Sequence, residues 1–174
     1  MSESATVAAP GNAGQATSDE HAEAVRRLRA FSFAQILLLV VQTGLGIWVN
    51  IYGTLPGADE GKGLLSSFGN SMSKGPVSVA THAGFGMIVF INACLLVVFA
   101  LTVRDTTVRA ASVIGWLSIV GAAVSGASFV NATQNSTSAN SASLVMGLLT
   151  MLALGCYAWN LYTLAGDSAA PADH

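Results

Sequence analysis

Charge is what this sequence has least of. Its 174 residues include 7 Lys and Arg and 9 Asp and Glu, so 9% of the chain is charged, where a soluble domain carries about 25%. No charge falls between Ala30 and Ala58, between Gly75 and Val103, or between Ala110 and Gly166, gaps of 29, 29 and 57 residues. A soluble helix keeps one face in water and does not stay uncharged that long. The gaps therefore exclude a soluble globular protein. The net charge of −2 offers no basic field to phosphates, which excludes nucleic acid as a partner. Also missing are CxxC and HExxH patterns, a phosphate-binding glycine loop and a Ser/His/Asp set. The lone Gly84-Phe85-Gly86 lies within an apolar run rather than after a strand, so it is no nucleotide motif.

What is present is apolar sequence, 52% of the chain. About 20 such residues span a bilayer core, and the pattern predicts an all-α membrane protein, a bundle of four transmembrane helices. The expected spans run over about 31–52, 77–103, 111–131 and 142–165, within a domain of residues 18–166. The last gap must hold two spans, because Ala132 to Ser141 is nearly all polar. Residues 1–17 are small and polar and are expected to form a disordered tail, and 167–174 a second short tail. Thr17 and Glu20 have capping-box spacing, which places the first helix start near Thr17.

The short segments flanking the spans carry Arg26, Arg27, Arg29, Arg104 and Arg109 on one side and Lys62 and Lys74 on the other. This asymmetry predicts both termini in the cytoplasm of a plasma-membrane protein, bacterial by its Ala- and Gly-rich composition. The first outer segment, 53–76, is long, stopped by Pro56 and Pro76, and includes Leu64, Leu65 and Phe68, which could form a short turn lying on the membrane surface. A faint duplication is visible as well. The first and third spans both end in Val-Asn, at Asn50 and Asn131, and the second and fourth each hold one cysteine, Cys94 and Cys156. Two parallel hairpins would produce it.

Lipid is as apolar as leucine, so small residues must let these helices approach one another. Gly46, Gly84, Gly86, Ser118, Gly121, Ala122, Gly126 and Gly147 are the expected packing positions. No Asp, Glu, Lys or Arg lies inside a span, which argues against ion-coupled transport. His82 stands roughly 7 Å below the outer boundary near Val77, at 1.5 Å per residue. Gln42, Ser125 and Ser128 could form a polar network with it, and Gln35 and Asn92 lie deeper. A histidine there could ligate haem b with Met146 or Met87 as a soft partner, donate to a quinone oxygen, or be a neutral hydrogen-bonded imidazole. The residues by themselves require no metal and no cofactor. Trp48, Tyr52, Tyr157, Trp159 and Tyr162 are expected at the interfaces, where amphipathic rings settle.

Two resemblances add to this reading. Gln42-Thr43-Gly44-Leu45-Gly46-Ile47-Trp48-Val49, followed by Thr81-His82-Ala83-Gly84, resembles one half of the haem A synthase family. That resemblance implies His82 as an axial ligand, although the fourth span holds no histidine to pair with it. Leu45 to Tyr52, His82-Ala83-Gly84 and Gly126-Ala127-Ser128-Phe129 are similar to stretches of small four-helix membrane proteins of actinobacterial type. This second likeness implies the four spans and no particular activity. The expected function is a non-enzymatic accessory or interaction subunit surrounded by lipid, assembled with other membrane subunits or with its own copies. A small haem-b or quinone-binding redox protein using His82 is the alternative.

Overall fold

The computed structural model describes residues 12–52, 63–132 and 136–167. They form α1 (Asn12–Tyr52), α2 (Leu64–Ser73), α3 (Val77–Thr102), α4 (Thr106–Asn131) and α5 (Thr137–Asp167), with no strand among the described residues. Four of these, α1, α3, α4 and α5, are long and apolar enough to cross a membrane. At 1.5 Å per residue, the 26 residues of α3 reach about 39 Å. The chain is an all-α four-helix membrane bundle, as the charge-free gaps imply.

Two helix starts differ from expectation. α1 begins at Asn12, inside the presumed tail, and α5 at Thr137, inside the polar run 132–141. Once a helix is nucleated, each further residue costs little, so Ala- and Gln-containing polar sequence extends it beyond the bilayer core. Ser136 caps α5 by accepting the Ala139 N–H at 3.1 Å. At the turn between α3 and α4, Asp105 accepts the N–H groups of Thr107 and Val108 at 2.7 and 3.2 Å. Arg109 then closes the end of α3, donating to the carbonyls of Val103 at 2.7 Å and Leu101 at 3.2 Å. Both ends of that tight turn are satisfied by its own polar residues.

Around the bundle the order is α1, α3, α4, α5, with α5 returning to α1 and the diagonal pairs scarcely touching. The most extensive contacts are α4–α5 and α1–α3, so two hairpins lie side by side. They are held by different chemistry. Along α1–α3 the seam is polar: Gln35 Nε2 donates to Val89 O at 3.2 Å, and Asn92 Nδ2 donates to Gln35 Oε1 and to Phe31 O. Along α4–α5 small residues face large ones. A methyl at Gly121 would stand 2.9 Å from Leu149 Cδ1, and one at Gly126 would stand 3.3 Å from Met146 Sδ. Asn160 Nδ2 also donates to Ser112 Oγ at 2.8 Å, both side chains fully buried. Buried amides of this kind act as interhelical links where water is absent.

The tight core sits in the half of the bundle nearest the α3–α4 turn, around Leu28, Leu96, Ala100, Val103, Val108, Tyr157 and Leu164. Tyr157 is completely buried there, which corrects its expected place at an interface. It lies about 15 Å from the end of α5 and its ring points at Gly115 of α4. The surface turned away from this core is largely apolar; Val40, Val98 and Leu148 are each more than half exposed. Water would penalise such a surface, and acyl chains would not.

Candidate functional site

In the half of the bundle nearest α2 the helices line a half-open chamber of about 610 Å³. Ligand sites range over roughly 300–1,000 Å³ and are mostly apolar with a few placed polar groups. All five helices contribute to the wall. Leu39, Val89 and Ile119 close the end at mid-bundle, Ala122, Ala127 and Phe129 form one side, and Ile51, Leu64 and Val130 stand at the end nearest α2. From Leu39 to Ile51 the wall extends about 18 Å along α1 at 1.5 Å per residue.

Two of the residues singled out from sequence meet in this wall. Gln42 Nε2 donates to the backbone carbonyl of His82 at 3.1 Å and lies 3.3 Å from His82 Nε2. The carbonyl orients the amide, since the reverse orientation would set two oxygens against each other. The amide N–H then faces His82 Nε2, which accepts, and the imidazole proton belongs on Nδ1. Glycine makes the approach possible. A methyl at Gly46 would stand 3.2 Å from His82 Cε1, and one at Gly86 would stand 3.2 Å from Gln42 Nε2. Gln42 Oε1 and His82 Nδ1 are both buried and have no hydrogen-bond partner among the described residues. An unmet buried polar atom costs about 1–3 kcal/mol. The touching side chains of Gln42 and His82 thus leave one acceptor and one donor unmet.

The other polar groups of the wall are mostly occupied. Thr43 donates to Leu39 O at 2.8 Å, Thr150 to Met146 O at 2.8 Å and Ser71 to Ser67 O at 2.7 Å, each within its own helix. Met146 lines the chamber and lies against Gly126. Ser128 donates to Val124 O of α4 at 2.9 Å, and neither it nor Ser125 lines the chamber. Of the expected packing positions, Gly46, Gly86, Gly121 and Gly126 have close neighbours, Ser118 is buried and Ala122 lies on the chamber wall. Gly84 and Gly147 have none within 4 Å of a Cβ position. No cluster of three metal-donor side chains occurs among the described residues.

Sequence reasoning missed the contribution of α2. Its Ser67 and Ser71 are buried toward the bundle while Leu65 is 92% exposed, the reverse of a helix facing water. Asn131 at the end of α4 fixes it, its Oδ1 accepting from Gly63 N at 3.2 Å and Ser67 Oγ at 3.3 Å. The apolar spacing of Leu64, Leu65, Phe68 and Met72 was the signal that could have shown a helix rather than a turn. Comparison with family models, curated proteins and solved structures finds no match for this chain.

Proposed function

We propose that this multi-pass membrane protein is an accessory subunit of the bacterial plasma membrane that holds a membrane-soluble ligand in its outer chamber. The observation that carries the reading is the 610 Å³ apolar chamber, with the Gln42–His82 pair on its wall. Both termini lie in the cytoplasm by the arginine asymmetry, so the chamber belongs to the outer leaflet. The apolar surface of the four spans suits lipid, other membrane subunits or further copies of the chain.

The test is organic extraction and native mass spectrometry of the detergent-purified protein. The wild type is expected to carry an apolar molecule, and Ala122→Phe, which narrows the chamber, to carry less of it. A wild type that carries nothing, and takes up nothing when apolar ligands are supplied, sinks the proposal.

Haem b is the other reading of His82. The residues present fit it poorly. His82 Nε2 is engaged by Gln42, and Met146 Sδ lies against Gly126. A Soret band abolished by His82→Ala would restore it.

A further inference from the structure

We infer that the chamber takes the hydrocarbon chain of a bilayer lipid, which enters sideways between α1 and α5 while its head stays outside. The inference rests on the chamber being a ligand site and adds the class of its occupant and the route in. The wall presents hydrocarbon almost throughout. Gln42 Oε1 and His82 Nδ1 are buried within it and show no surface to an occupant, and the hydroxyls of Thr43, Thr150 and Ser71 donate within their own helices. A polar head would lose its water there and gain few bonds in return. A chain gains the close contacts that an empty apolar wall lacks.

Three of the four seams around the chamber are bridged. Gly46 against His82 and Gly86 against Gln42 bring α1 onto α3, and Gly121 against Leu149 and Gly126 against Met146 bring α4 onto α5. Across the α3–α4 seam lies α2, packed on both helices and contributing Leu64 and Phe68 to the wall. The α1–α5 seam has no such bridge beside the chamber among the described residues. Ile47 on α1 and Gly147 and Met151 on α5 line the chamber and are also exposed, Ile47 by 56% and Met151 by 52%. Gly147 lies about 200° around α5 from Leu149 and so faces away from α4. No described residue comes within 4 Å of a Cβ position there. The surface on either side of this seam is the apolar surface of two membrane spans, so what adjoins the opening is lipid. Met87 and Val124 reach the surface at the α3–α4 seam, which supplies the control position.

The experiment is methyl NMR of the full chain in phosphatidylcholine nanodiscs, with the acyl chains protonated and the protein deuterated except at its Ile and Ala methyls. Ile119 and Ala127 line the chamber and are 6% and 8% exposed, whereas Ile91 is 55% exposed on the outside of the bundle. Nuclear Overhauser contacts with acyl methylenes are expected at all three in the wild type. Gly147→Trp and Ile47→Trp, which narrow the α1–α5 seam, should each abolish the contacts at Ile119 and Ala127 and keep the one at Ile91. Val124→Trp, at the other seam, should keep all three. Contacts at Ile91 alone in the wild type overturn the inference. If organic extraction then still yields an apolar molecule, the chamber reading stands; if extraction yields none and supplied apolar ligands do not bind, that reading falls as well. Loss of the inner contacts in Val124→Trp but not in Gly147→Trp also overturns the inference, because the chain then enters between α3 and α4. The wild-type contacts decide the occupant even where a variant does not fold.

Discussion

Tyr157 on α5 lies over Gly115 on α4, so closely that a methyl at residue 115 would stand 2.8 Å from the ring Cζ and 3.1 Å from its hydroxyl oxygen. The tyrosine is fully buried, and its hydroxyl finds no partner among the described residues. The contact is therefore one of shape, and it fastens the second hairpin in the half of the bundle nearest the α3–α4 turn.

Gly115→Ala is expected to lower the melting temperature of the detergent-solubilised protein, because overpacking a filled site costs about 1–3 kcal/mol. Gly84→Ala and Gly147→Ala, where added carbon meets open space, should melt with the wild type. Thermal unfolding followed by circular dichroism checks all three. Equal melting of Gly115→Ala and Gly84→Ala would remove the distinction.

Asn131→Ala should release α2 while leaving the spans intact. It deletes the acceptor of both Gly63 N and Ser67 Oγ, bonds with net values of about 0.5–1.5 kcal/mol each. Hydrogen exchange over residues 63–73 should accelerate severalfold. Unchanged protection there would show that apolar contacts alone hold the helix.

Ser112 and Asn160 offer a test of coupling. Ser112→Ala strands the Asn160 amide in the core, so it should destabilise by about 1 kcal/mol. Adding Asn160→Leu should recover part of that loss, since neither position then carries an unpaired polar group. A double variant whose loss is the sum of both single losses would mean that the two side chains do not interact.

A carboxyl-terminal alkaline phosphatase fusion should be inactive, and one inserted near residue 58 active. The reverse pattern would show that Arg26, Arg27, Arg29, Arg104 and Arg109 do not set the topology.

Four spans were legible in the sequence because lipid tolerates no unpaired charge, and the gaps in charge mark where lipid lies. The hairpin seams were less so. Gln35 and Asn92 stood out as polar residues at depth, but their partnership depends on the rotation of α1 against α3, which a single strand of text does not contain. Gly115 escaped notice for the same reason, since its value depends on Tyr157 standing opposite. His82 and Gln42 were both singled out as candidate site residues, and they do meet. The chamber was not visible at all. A void is what packing leaves over, and no residue encodes it locally.

The chamber also divides the molecule mechanically. Nearly all of the close-packed core lies in the half nearest the α3–α4 turn, and the empty volume lies in the half nearest α2. Close-packed protein is hardly compressible, and pressure acts on voids. Squeezing this bundle would therefore shrink one end before the other, turning a uniform stress into a tapering of the helices toward α2.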